Sequence, residues 1–120
     1  MNRVLACLIA GLSVAPLAAC NEPVNCTADA RTSLILTVVD ADTGDPVTTA
    51  EVAFTIDGDG PFQPQWQEAG AKFPLGMEAA GTFEVTVTAE GYMTLVEQFE
   101  IDEDECHVIT EEATVELVPS

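Results

Sequence analysis

The stretch V-V-D-A-D-T-G-D-P-V-T-T-A-E-V-A-F, Val38 to Phe54, joins a β-branched run, a cluster of Asp, Thr, Gly and Pro, and a segment of alternating apolar and polar residues. Alternation with a period of two sets Ala50, Val52, Phe54 and Ile56 on one face of a strand, with Glu51, Thr55 and Asp57 on the other. The run that precedes it places Leu34, Leu36 and Val38 on one face in the same way. Between the two strands, Asp40 to Pro46 carries three carboxylates, and a metal loop and a turn compete for them. A calcium loop of the EF-hand kind requires an oxygen ligand at position 5 and Gly at 6, whereas counting from Asp40 puts Gly44 fifth and Asp45 sixth. Pro46 also drives Asp45 towards extended backbone. As a turn every residue has a use: Asp40 and Asp42 accept backbone N–H bonds, Gly44 takes a positive φ and Pro46 presets φ for the next segment. The turn is the favoured reading, and a weak calcium site of extracellular type, with Asp40, Asp42 and Asp45 as ligands, is the alternative.

Outward from this pair the pattern repeats. Phe83, Val85, Val87 and Ala89 alternate with Glu84, Thr86 and Thr88; Leu95, Phe99 and Ile101 mark another strand; Ala113, Val115 and Leu117 mark the last. Between Asp57 and Gly81 the signal weakens, and Gln65 to Glu68 and Ala71 to Leu75 are the candidates for short strands there, the second at a sheet edge because of Pro74. No long segment from Cys20 onward keeps an apolar face at helical spacing. The expectation is an all-β, seven-stranded or so antiparallel sandwich.

The strand ending in Asp40, the T-G-x-P turn from Thr43 to Pro46, the strand after Ala50, the G-x-F-x-V strand from Gly81 and the Gly91-Tyr92 pair resemble the carboxypeptidase regulatory-like domains, which share the transthyretin-like β-sandwich. The resemblance runs from Ser33 to Val118 and implies a fold more than a chemistry, since such sandwiches serve as accessory, adhesion, carbohydrate-associated and envelope modules. The C-terminal Y-R-G-S tail of the transthyretin-like hydroxyisourate hydrolases is absent, the chain ending E-L-V-P-S, so the resemblance does not extend to that activity.

The first residues read as an address. Arg3 is followed by an uncharged apolar run from Val4 to Ala19, the signature of a signal peptide. L-A-A-C, Leu17 to Cys20, resembles a bacterial lipobox, which implies cleavage before Cys20 and lipid on its thiol and on the new N-terminus. Two such chains make a stable membrane anchor where one does not. The expected organisation is a signal peptide over 1–19, a lipidated N-terminus and tether over 20–32, and one domain over 33–120, placed in the bacterial envelope; Asn21 rather than Asp after Cys20 favours the outer membrane and leaves the leaflet open. From Cys20 onward only Arg31 and Lys72 oppose 21 acidic residues, a formal charge of 2 − 21 = −19. Nucleic acid is excluded as a partner, because phosphate binding depends on clustered Lys and Arg.

With Cys7 in the signal and Cys20 lipidated, Cys26 and Cys106 remain, and in an oxidising compartment they are expected to form a disulfide. His107, the single histidine, is expected on a strand packed near that bond. Ser33, His107 and a carboxylate compose a nominal triad, but no nucleophile-elbow motif frames Ser33. Gly60 to Trp66, G-P-F-Q-P-Q-W, carries aromatics in a Pro/Gly loop; Phe62 and Trp66 either close the end of the core, the favoured reading, or form a ligand loop for a sugar or protein partner. Asp102 to Glu105 reads as a solvated turn. Together these features point to a lipid-anchored, non-enzymatic envelope module acting in binding or structure, without a cofactor and with an envelope protein or glycan as partner. The alternative is a calcium- or carbohydrate-dependent adhesion module using the acidic turns and the Phe62/Trp66 loop.

Overall fold

A computed structural model describes residues 26–120, and the residues read from the sequence as signal peptide and lipobox, Cys20 among them, lie outside the described residues. Seven strands follow in order: β1 Thr32–Asp40, β2 Glu51–Ile56, β3 Asp59–Phe62, β4 Lys72–Met77, β5 Gly81–Thr88, β6 Leu95–Ile101 and β7 Glu111–Leu117. They form two facing layers, a three-stranded sheet of order β4-β1-β7 and a four-stranded sheet of order β3-β2-β5-β6. The alternation in the sequence is the alternation between these faces. Leu34, Leu36, Val38, Phe73, Leu75, Val115 and Leu117 of the first sheet are buried against Val52, Phe54, Phe83, Val85, Val87 and Ile101 of the second.

The sandwich is not wholly antiparallel, as expected from the sequence, but mixed. β7 pairs parallel with β1, from Leu34 opposite Glu111 to Asp40 opposite Leu117. The cause is the route of the chain: β6 ends beside the start of β5, with Ile101 opposite Gly81, and residues 102–110 cross at that end to the other sheet, so β7 starts where β1 starts.

The poorly patterned middle also resolves differently. Gln65 to Glu68 is not a strand, although Glu68 makes an isolated bridge to Lys72. β3 lies earlier, joined to β2 by the two-residue turn Asp57-Gly58, whose φ angles of 50° and 88° are those of the primed turns that match strand twist. β4 covers the Ala71 to Leu75 candidate and runs on to Met77, at the edge of its sheet, where Pro74 leaves no central ladder bond unmade. Both poles of the sandwich are thereby defined. One holds the starts of β1, β5 and β7; the other holds the turn after Asp40, the start of β2 and the ends of β5 and β7.

Candidate functional site

At the pole beyond β1, the acidic turn is locked by its own hydrogen bonds. Asp40 Oδ1 accepts the backbone N–H groups of Asp42 at 2.7 Å and Thr43 at 3.0 Å, and its Oδ2 accepts the Tyr92 hydroxyl at 2.7 Å. The Tyr92 bond and then these two backbone donors hold the Asp40 carboxyl below the usual range, and the same carboxylate pushes the Tyr92 phenol up. Asp45 takes part through its backbone, its N–H donating to Thr43 Oγ1 at 3.2 Å and its carbonyl accepting from Asp40 N–H at 2.8 Å. Among the described residues no group of three or more His, Cys, Asp or Glu side chains is placed to hold a metal ion, and Asp40, Asp42 and Asp45 are not gathered into one. Gly44 sits at φ 78°, with nothing within 4 Å of where a Cβ would project. Gly44→Val is thus expected to cost about 1–2 kcal/mol through backbone strain alone. Thermal melts should show that loss equally with and without calcium, and little change for Asp45→Asn.

The opposite pole is closed by Cys26 and Cys106, bonded across 80 positions with Cα atoms 5.1 Å apart. Beside the bond lies a node that pairwise reading of the sequence did not find. Glu78, at φ 53° in the β4–β5 turn, accepts the Arg31 N–H at 2.8 Å and the His107 Nδ1–H at 2.7 Å on Oε2, and the Val108 N–H at 3.1 Å on Oε1. Glu78 N–H in turn donates to the Arg31 carbonyl at 2.8 Å. His107 Nε2 lies 2.8 Å from Thr27 Oγ1. One carboxylate thus ties the segment before β1 and the 102–110 connection to the sandwich.

His107 is buried but not on a strand, as expected from the sequence; it stands in the connection, where Asp104 Oδ1 accepts the N–H groups of Cys106 and His107 and bends the chain. Asp102 to Glu105 is exposed, in keeping with a solvated turn. Ser33 is fully buried on β1, its Oγ accepting the Ala79 N–H at 3.0 Å, so it takes no part with His107.

The Glu78 node gives a pH dependence. The bond from His107, ahead of the Arg31 and Val108 N–H bonds, lowers the Glu78 pKa from its ordinary 4.5. A carboxyl depressed by folding contributes stability that is complete above the unfolded value and is lost as pH falls through the lower folded value. Acid unfolding of the wild type should therefore steepen below pH 4.5, and Glu78→Gln should flatten that limb while lowering stability at neutral pH. Circular dichroism melts from pH 3 to 7 check it.

The third site is the Phe62/Trp66 segment. Phe62 is on β3, 43% exposed, and tilts against Phe54 with ring centroids 5.7 Å apart. Trp66 is 47% exposed, so it does not close the core as favoured from the sequence. Its Nε1–H donates to Glu68 Oε2 at 2.9 Å, which fixes the ring. Gln67 Nε2–H donates to the Thr48 carbonyl at 2.9 Å and holds the loop against the start of β2. Between this loop and β2 runs a groove of about 380 Å³, bounded by Gln63, Pro64, Trp66 and Gln67 on one side and by Glu51, Val52, Ala53, Thr86 and Thr88 on the other. Apolar floor, one oriented aromatic and a few polar groups are the usual constitution of a binding groove. The sequence offered the aromatic pair but not the groove, which exists because β3 is shorter than β2.

No protein family matches the chain, and no curated protein does. Among solved structures it is similar to 3-chlorocatechol 1,2-dioxygenase from Rhodococcus opacus 1CP, at 13% identity and a TM-score of 0.48, over 82% of this chain and 64% of that one. The chain thus spans less than two thirds of that protein's length, and a likeness of this size carries no argument about activity.

Proposed function

We propose that the protein is a lipid-anchored, non-enzymatic module of the bacterial envelope, with a transthyretin-like, carboxypeptidase regulatory-like sandwich that works by binding at the Trp66 groove. The observation that carries this reading is the half-exposed Trp66, held by Glu68 at the rim of an open groove. L-A-A-C at Leu17 to Cys20 supports the anchor, and a disulfide between Cys26 and Cys106 is in keeping with an oxidising compartment. The attachment point also suits the groove. A tether entering at Cys26 meets the pole at the start of β1, whereas Glu51 and Thr88, which border the groove, lie at the opposite end of their sheet. Anchored through Cys20, the module would present its groove away from the membrane. His107 is committed to Glu78 and Thr27 within the Glu78 node, which supports a role without catalysis.

Two substitutions test the reading separately. Cys20→Ser should abolish incorporation of radiolabelled palmitate and move the protein to the soluble fraction; a variant that still partitions into detergent overturns the anchor. Trp66→Ala should leave the fold intact, the ring being half in solvent, and remove binding of envelope fractions to the immobilised domain. Equal binding by wild type and variant overturns the groove. The alternative of a glycan adhesion module draws on the same Trp66, and a glycan array compared between wild type and Trp66→Ala decides it.

A further inference from the structure

The lining of the groove comes from both faces of β2, Val52 pointing into the core and Glu51 and Ala53 lying on the outer face, and from Thr86 and Thr88 of β5, which stand opposite Ala53 and Glu51 on that outer face. A cavity confined to the face of a sheet meets only one of the two sets of β2 side chains; one that runs over the outer face and past the edge of β2 meets both. The pairing agrees. On one side β2 is paired with β5 along its whole length, from Glu51 opposite Thr88 to Ile56 opposite Phe83. On the other, β3 reaches only Phe54 and Ile56. After Phe62 the chain swings away through Gln63 and Pro64, and among the described residues no backbone hydrogen bond joins residues 63–67 to Glu51, Val52 or Ala53. The first half of β2 is therefore an open edge, and alternate residues of a strand direct their N–H and C=O groups away from the paired neighbour. An open edge is a template for another extended chain.

We propose that this slot receives an extended, basic polypeptide segment of a partner protein, which adds to the edge of β2 where β3 leaves off, with one of its side chains against Trp66. The proposal rests on the groove being the binding surface and names its occupant. Charge selects the sign of the partner. Glu51 borders the slot and Glu68 holds the Trp66 ring, no Lys or Arg among the described residues lines it, and the chain as a whole carries a formal charge of −18. Complementary charge steers association and rejects like-charged partners. The same charge disfavours a second copy of this chain, which would bring Glu51 to a β2 edge of equal sign.

The test begins with random nine-residue peptides displayed on phage, selected on the intact domain and counter-selected on Trp66→Ala. The expected survivors are basic, with apolar residues at alternate positions. Survivors that are acidic or neutral, or no enrichment over the Trp66→Ala counter-selection, overturn the proposal. If the glycan array is at the same time positive and Trp66-dependent, the groove stands as a binding surface and only its occupant is wrong. The best peptide is then synthesised with alternate backbone nitrogens methylated in either register. One register should weaken binding by about tenfold or more, because it removes the N–H groups that pair with β2. The other should be nearly silent. Equal loss in both registers, or none in either, excludes strand addition, and a bound peptide that leaves the amide chemical shifts of Glu51 to Ala53 unmoved excludes the slot. Dimerisation of the free domain in sedimentation would assign the edge to a second copy instead.

Discussion

Reduction of the Cys26–Cys106 bond is expected to lower the melting temperature by on the order of 20 °C. The bond closes a loop of sequence separation 80, so it spans nearly the whole described domain. In the chain-entropy treatment, opening a loop of that size returns roughly 4.5 kcal/mol of freedom to the unfolded state, a large share of the 5–15 kcal/mol typical of a small domain. The folded state does not lose its local order at the same time. Glu78 still accepts from Arg31, His107 and Val108, and Thr27 still meets His107, so the segment before β1 remains docked without the bond. The effect should accordingly fall on the unfolded chain. Melts in the presence and absence of a phosphine reductant, and of the Cys26→Ser, Cys106→Ser double variant, check it. A change of a few degrees would show that the Glu78 node, and not the bond, determines how the poles of the sandwich are held.

The parts of this architecture that were legible in the sequence are those in which one strand faces two solvents. Leu34, Leu36 and Val38, or Phe83, Val85 and Val87, alternate because core and water impose opposite demands on neighbouring positions. β3 escapes this logic, since Asp59 to Phe62 are all exposed and no apolar face marks them. Its only signal was the Asp57-Gly58 pair, a strong hairpin cue, reinforced in the structure by Asp57 Oδ1 accepting the Thr82 N–H at 2.9 Å. The turn at Asp40 was legible because the bonds to the Asp40 carboxylate are local, within three residues, except for that from Tyr92. The Glu78 node was not, since Thr27, Arg31, Glu78 and His107 lie far apart in the chain and meet only where two connections come together at one pole. The groove was illegible for a different reason. It is made by a difference in length between two neighbouring strands, and neither strand taken alone contains it.

The second large effect is expected from Phe83→Ala, at about 3–5 kcal/mol. Phe83 is fully buried and occupies the middle of the core, its ring stacked on Phe54 at a centroid distance of 5.6 Å and an interplanar angle of 3°. Removing it forfeits the apolar transfer of a whole ring and leaves a void that two hydrogen-bonded sheets cannot collapse to fill. The close packing of Gly76 against the ring makes the loss testable in its parts. Gly76 of β4 has φ 75°, and a Cβ there would lie 3.1 Å from Phe83 Cε2 and Cζ and 3.3 Å from Ser33 Oγ. Gly76→Ala alone should therefore carry two costs, about 1 kcal/mol for a left-handed Ala and a further contribution from contact with the ring. In the Phe83→Ala background the second cost vanishes, because the new methyl group enters the vacated space, while the first remains. The two substitutions should thus be less destabilising together than the sum of each alone, with a coupling of about 0.5 kcal/mol or more in urea unfolding. Strict additivity would mean that Gly76 is required for its backbone angle only, and that the ring of Phe83 yields freely to its neighbours.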